Sequence, residues 1–497
     1  MTNFYYYLKI DQANQSVNII PNNAPIKRSG NSVSEGLHHR NNVAMLSNLF
    51  LILSLIIGAT DTPAMAQTLL RFHGSNTIGR TLLPALTKEF LQQEGYDNIH
   101  ENKGANEDES IIVGKRNGQN DQIEIHAHGS NTAFIDMEKF LCDIGMSSRP
   151  IKKEEQKKLL PILGDLRSND SEHVIALDGI AVIVHKSNPI KMLSVTQLAD
   201  IFSGTTITDW SKLGSPPGTI ALYARDDNSA TYELFKEAVL QEHGKSLASN
   251  AQRFEDSKEL SDAVRINPLG IGFIGLNYIG SNNVVELSDT GVKARAPNLQ
   301  TIKTEDYILT RRLYLYTAEK PSNPFVHKFI KFALGSKAQE LVTATGLVNL
   351  DVTPVPSNPN DARNQSSRWR DLTKGAVEMQ THIRFNTGSD NLDSRAYIDI
   401  GRIYEKVKET YPGKPIILIG FADAAGDHAR NCRHSQDRAD IVEMKLKDTA
   451  KSEINTLNFE QSVGLCEEAP VAPNDKAEHK AKNRRVEVWV RLNPMGM

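Results

Sequence analysis

HVIALDGIAVIVH, residues 173 to 185, followed closely by SVTQLADIFSG at 194 to 204, decides the fold class. The first stretch is a short apolar run of the kind that makes a buried strand, and the second is a helical pattern. The same alternation extends outward. Upstream, TLLRFHGS (68–75) precedes a helical face of Ile78, Leu82, Leu86 and Phe90, and downstream come TIALYAR (219–225) and GIGFIGL (270–276). Strands alternating with helices from Gln67 to about Leu350 imply an α/β architecture. Pro84 lies inside the first helical face, where it either kinks the helix or marks its true start.

The regime changes at DVTPVPSNPNDARNQSSRWR (351–370), which carries three prolines among Asn and Ser residues and no apolar period. The segment 351–375 therefore reads as a linker, and about 20 flexible residues would span on the order of 25 Å, leaving the two halves free to move independently. Beyond it lie IRFNTGS (383–389), a helical stretch at 393–410 and the strand-like PIILIGFAD (415–423). A helix from about 431, with Ala439, Val442 and Leu446 on one face, and RRVEVWVRL (484–492) complete a smaller α+β unit over 376–497. VGLCEEAPVAPNDKAEHKAKN (463–483) is rich in charge and proline and reads as a solvated loop.

At 497 residues the chain holds more than one core. Its 57 basic and 60 acidic side chains leave a formal charge of -3, which excludes a basic nucleic-acid binder. Cys142, Cys432 and Cys466 are too few for a disulfide scaffold and lack paired CxxC spacing, so neither a metal nor another cofactor is expected. The apolar run 43–59, VAMLSNLFLILSLIIGA, followed by TDTPAMAQ, has the layout of a signal peptide cleaved near Ala66. Residues 1–66 are then a leader and 67–350 the first unit. An exported chain meets oxidising conditions, in which Cys432 and Cys466 are expected to pair.

Four stretches in the first unit place small hydroxyl residues directly before a helical pattern: GSNTIG (74–79), GSNTAF (129–134), GMSSRP (145–150) and RDDNSATY (225–232). Backbone N–H groups at helix N-termini attract oxyanions, hydroxyls add donors, and an arginine adds a two-pronged charged contact. Each stretch taken singly is explained as well by helix capping. Capping does not, however, ask for Arg225.

These stretches, together with DIGMSSRPIKKEE, LDGIAVIVHKSNPIKMLSVTQLADIFSGTTITDWSKLG, RDDNSATYELF and GIGFIGLNYIG, resemble the periplasmic phosphate-binding proteins of ABC transporters over nearly all of 70–345. The resemblance implies a two-lobed type II periplasmic-binding fold closing on an oxyanion. It assigns phosphate contact to Ser75, Asn76 and Thr77, to Ser130, to Ser147, and to Arg225, Asp227, Ser229 and Thr231. Ser148 stands where some members carry a carboxylate that accepts the hydrogen of a protonated phosphate, a feature that rejects sulfate. Asp227 either takes over that role or orients Arg225. Ala230 replaces a glycine common in the motif.

In the second unit, GFADAAGDHARNCRHSQDRADIV (420–442) and NRRVEVWV (483–490) resemble the OmpA-like peptidoglycan-binding domain. The matching positions are Asp423, Gly426, Asn431, Ser435 and Arg438. A carboxylate and a guanidinium facing one pocket suit a zwitterion, and the resemblance assigns Asp423 to the amino group and Arg438 to the carboxylate of a diaminopimelate stem peptide. Ala422 and His434 depart from the usual pattern. The expectation is a periplasmic, non-enzymatic binding protein. It captures phosphate or a related oxyanion, is held on peptidoglycan or near the outer membrane, and has an ABC permease as a possible partner. The alternatives are a wall-anchored structural or sensing protein with an altered anion site, and a phosphate-ester hydrolase using Ser75 or Ser130, for which no adjacent base is seen.

Overall fold

The computed structural model describes residues 66–492 apart from 228, 359–360, 362–365 and 387–389. The expected signal peptide and the rest of the leader before Ala66 lie outside the described residues.

The first unit is built on β1 (Gln67–Gly74), β2 (Asp97–Lys103), β3 (Glu109–Arg116), β4 (Gln119–His126), β5 (Ile144–Ser147), β6 (Glu172–Val184) and β7 (Met192–Ser194), continued by β8 (Ala221–Arg225), β9 (Gln252–Phe254), β10 (Gly270–Gly275), β11 (Asn283–Asp289), β12 (Val292–Arg295) and β13 (Thr310–Tyr316). Their order is β2-β3-β4-β1-β5-β13-β6-β10-β8-β9, with β11, β7 and β12 attached beside β6. Two lobes follow from this order: β1 to β5 form one and β7 to β12 the other.

Among the described residues, β6 and β13 are the strands that pass between the lobes. Through Gly179, β6 pairs antiparallel with β13; from Ile180 to Val184 it pairs with β10 instead. A Cβ at Gly179 would lie 2.4 Å from the end of the Ile302 side chain, so the chain changes partners where a larger residue would require Ile302 to move. From His173 to Val184 every residue of β6 is buried, which is why an apolar run rather than an alternating one encodes it. Phe72, Phe90 and Phe329 pack edge to face in the first lobe, and Phe202, Phe235 and Phe273 pack together in the second. Pro84 lies at the start of the Leu83–Gln93 helix, directly after a π-helical turn, Ile78–Leu82, so the widened turn falls where the proline lacks an N–H.

The second unit has a five-stranded sheet, β14 (Pro354–Pro356), β15 (Ala376–Arg384), β16 (Pro415–Gly420), β17 (Asn458–Gly464) and β18 (Arg485–Arg491), in the order β14-β15-β18-β16-β17. The helices Ser394–Thr410 and His428–Ala450 bury Ile400, Ile403, Ala439, Val442 and Leu446 against it. The second helix starts earlier than expected because Asp427, not a later residue, accepts the Arg430 N–H as its cap.

Three expectations are corrected here. The segment 351–375 is not a free tether: Pro354–Pro356 adds a strand to β15, and Ser367–Thr373 is a helix whose Trp369 meets Trp489 edge to face. Independent motion of the halves is likewise opposed by buried contacts between them. Arg395, 2% exposed, pairs with Glu305 and donates to the Lys303 carbonyl at 3.1 Å. The stretch 463–483 is also more than a solvated loop. Leu465, Ala469, Val471 and Ala472 are buried, and the side chain of Asn483 bonds the backbone of both Val471 and Ala472. Cys432 and Cys466 form a disulfide, and Cys142 is free and buried.

Candidate functional site

Three of the four hydroxyl-bearing stretches meet through the first lobe's own backbone. Gly129 N–H donates to Gly74 C=O at 2.7 Å, Ser75 N–H to Met146 C=O at 2.9 Å, and Ser148 N–H to Ser130 Oγ at 3.0 Å. The turns after β1, β4 and β5 are thereby stitched into one floor. Gly74 makes this possible: its φ is +136°, and a Cβ there would lie 2.0 Å from the Met146 carbonyl oxygen. Gly74→Ala should therefore open the floor, lowering stability by about 1–3 kcal/mol and weakening anion binding; a variant with unchanged urea midpoint and affinity would contradict this.

On that floor Ser75 is 1% exposed, and its Oγ, like Asn76 Oδ1, is buried without a hydrogen-bond partner. A buried polar atom left unpaired is costly. Both therefore have unmet bonding capacity at the expected place. Ser130 shares a 3.0 Å hydrogen bond with Ser148, not with Ser147. Ser147 Oγ turns back to the Arg149 carbonyl at 2.7 Å. Ser148, not Ser147, therefore joins the floor: successive side chains leave a strand on opposite sides, so the two serines cannot face the same turn.

Thr77 leads to the residue that sequence reading missed. Arg311, on β13, donates through Nη2 to Thr77 Oγ1 in the first lobe and to the Ala230 carbonyl in the second, both at 2.9 Å. Its Nε bonds Asp178 at 3.1 Å, its strand partner on β6, and its Nη1 lies 3.6 Å from Glu233 and makes no hydrogen bond. One guanidinium thus joins both lobes where the strands cross between them. A signal for it existed in the lone Asp178 within an otherwise apolar buried run, since a buried carboxylate requires a charged or hydrogen-bonding partner.

The fourth stretch is placed differently from expectation. Arg225 spends its guanidinium on the segment after β9, bonding the Phe254 carbonyl at 3.2 Å, the Glu255 carbonyl at 2.7 Å and Ser257 Oγ. Asp227 is largely exposed and pairs with Arg253 at 2.9 Å, so it neither orients Arg225 nor joins the floor. The reason is local: Arg225 ends an edge-proximal strand beside β9, whose following carbonyls are the nearest acceptors. Ser229 is buried at the start of the Ala230–Phe235 helix, whose first turn includes Thr231. Between the lobes a cavity of about 460 Å³ is lined by Asn131, Arg149 and Lys152 on one side and Glu237, Gln241 and Glu242 on the other.

In the second unit, Asp423 accepts the Ala425 N–H at 2.9 Å and pairs with Arg484 at 2.7 Å. Arg438 is 6% exposed, donates to the Phe421 carbonyl at 3.1 Å, lies over the Phe385 ring at 5.6 Å and leaves Nε without a hydrogen-bond partner. Burial lowers its pKa from the usual guanidinium value. Ser435 is fully buried, donating to the Cys432 carbonyl and accepting the Cys466 N–H at 2.9 Å, while Asn431 is buried and Gly426 supplies a turn at φ +89°. The last three build the scaffold, whereas Asp423 and Arg438 carry the charge.

Two clusters of potential ligand side chains lie close together among the described residues. In one, His428 stands near Cys432 and Cys466, whose sulfurs are joined to each other. In the other, Glu378, His382 and Glu487, the carboxylates take hydrogen bonds from Gln300, Arg485, Trp369 and Trp489.

Residues 110–337 match the PBP superfamily domain, and residues 384–484 match the OmpA family. A phosphate-binding protein PstS of Staphylococcus saprophyticus is 32% identical over 248 residues, 47% of this chain and 75% of that protein. PstS of Staphylococcus haemolyticus is 34% identical over 214 residues, 41% of this chain and 65% of that protein. Among solved structures, a putative phosphate ABC transporter substrate-binding protein with bound phosphate from Clostridium perfringens is 27% identical, covering 56% of this chain and 98% of that one with a TM-score of 0.38.

Proposed function

Because the chain belongs to the family of PstS phosphate-binding proteins and carries an OmpA family domain behind that unit, we propose that it captures phosphate between its lobes while resting on peptidoglycan. The observation that carries this reading is the stitched floor: Ser75 Oγ, Asn76 Oδ1 and Arg311 Nη1 are all without hydrogen bonds beside Thr77, Ser130 and Ser148. The hydroxyl and the guanidinium are unmet donors, which suit a tetrahedral oxyanion, whereas the Asn76 oxygen is an acceptor; binding there proceeds without turnover.

Asp178 supplies what Ser148 lacks. Its carboxylate, 9% exposed and held by Arg311, is the acceptor for the hydrogen of monoprotonated phosphate, which sulfate does not offer at neutral pH. Ser229 and Thr231 close on the anion from the second lobe. In the second unit, Arg438 takes the carboxylate of a diaminopimelate stem peptide, and Asp423, held by Arg484, takes its ammonium. The protein is then wall-associated outside the cytoplasm and hands phosphate to an ABC permease.

The chain from Gln67 should bind phosphate saturably in calorimetric titration, at least tenfold more tightly than sulfate, and should co-sediment with purified peptidoglycan. Equal affinity for the two anions would remove the role given to Asp178, and an unretained chain would remove the wall assignment.

A further inference from the structure

The second unit is docked across the crossing point of the two lobes. Neighbouring residues on a strand face opposite ways, and β13 uses this. Arg311 is directed to Thr77 and Ala230, whereas Arg312 is directed to the far side, bonding Glu305 at 2.9 and 3.0 Å and Asp393 at 2.8 Å. Asp393 is the cap of the Ser394–Thr410 helix, and the next residue, Ser394, donates to Glu172 at the start of β6 at 2.6 Å. One helix N-terminus of the second unit therefore holds both strands that pass between the lobes.

The docking also reaches the body of each lobe. Arg402 donates to the Leu334 carbonyl at 3.2 Å, at the end of the Pro324–Ala333 helix in the first lobe, and Lys476 pairs with Glu242 of the second at 2.5 Å. Rotating one lobe against the other would draw at least one of these bonds past about 3.5 Å, where a hydrogen bond is lost. It would also disturb Glu305 and Arg395, which are buried and tolerate no separation.

We infer that the second unit is a brace on the hinge: by bonding both lobes and both crossing strands, it fixes the angle between the lobes and thereby sets the affinity of the cleft. The braced arrangement is the one in which Arg311 bonds both lobes at once. Release of the brace populates other arrangements and weakens apparent binding by the fraction of molecules that leave it.

The test is the double variant Arg402→Ala/Lys476→Ala in the full chain, read by hydrogen exchange and by titration with inorganic phosphate. Amides of 178–184 and 308–316 should exchange roughly fivefold faster or more, those of 416–420 and 485–491 should be unchanged, and phosphate should bind roughly threefold more weakly or worse. Wild-type exchange in the crossing segments would overturn the brace. If the double variant loses protection throughout, Ser394→Ala, which leaves every charge in place, decides by the same readout. The affinity arm rests on the phosphate reading, but the exchange arm does not: a chain that binds no phosphate refutes that reading, and the exchange data still decide the brace.

Discussion

Arg311→Ala should weaken phosphate binding roughly 30- to 4,000-fold, the equivalent of about 2–5 kcal/mol for removing a buried charged partner. Among the described residues the side chain is the one cation seen bonding both lobes at the stitched floor, and its Nη1 has no hydrogen bond of its own. Its loss would also leave Asp178 as a buried carboxylate without its partner, which repels an anion further. Arg225→Ala should cost much less, because that guanidinium is engaged by the 254–257 segment. Calorimetric titration of both variants discriminates: if Arg225→Ala abolished binding while Arg311→Ala left it near wild type, the arrangement proposed for the cleft would be wrong.

Glu305→Gln should be the most destabilising conservative change in the chain, by about 3–5 kcal/mol in urea unfolding. Burial alone would raise this carboxyl's pKa, but Arg312, Arg395 and Arg384 together pull it far below the ordinary carboxylate range. Neutralising it removes the carboxylate these three guanidinia share, leaving Arg312 to Asp393, Arg395 to Asp399 and Arg384 to Asp306, with one more uncompensated positive charge in a buried interface. The same depression has a pH signature. A group whose folded pKa lies below its unfolded value of about 4.3 stabilises the fold fully above that pH and loses its contribution as pH falls toward the folded value. Wild-type stability should thus decline as the medium is acidified below about pH 5, and Glu305→Gln should show a shallower decline. Parallel acid slopes for the two proteins would deny Glu305 this role.

Much of the architecture was legible because buried strands and capped helices leave local marks. All of the run at 173–185 but its last residue lies in one continuous strand, and the hydroxyl-rich turns after β1, β4 and β5 lie together. What escaped was set by geometry that spacing does not encode. Ser147 and Ser148 differ only in which side of the strand end they leave, and a motif places both at once. Arg311 lies in TRRLYLY, far along the chain from every hydroxyl stretch, and only the antiparallel pairing of β13 with β6 brings it to Asp178. Arg484, just before β18 and 61 residues away, took Asp423 as partner. The prolines at 354 and 356 suggested a tether, yet an edge strand tolerates proline, and β14 is the edge. The docking of the two units rests on charged side chains, which composition alone assigns to solvent.

Cys142 is the odd thiol in a chain whose other two cysteines are joined. Burial, with help from Asp136 and Asp143, pushes its pKa up to about 12, so at neutral pH on the order of one molecule in 10⁵ carries the thiolate that disulfide exchange requires. A lone sulfhydryl in an exported protein is ordinarily an invitation to mispairing. In the folded chain it is chemically silent, so once the fold has formed it does not exchange with the Cys432–Cys466 bridge.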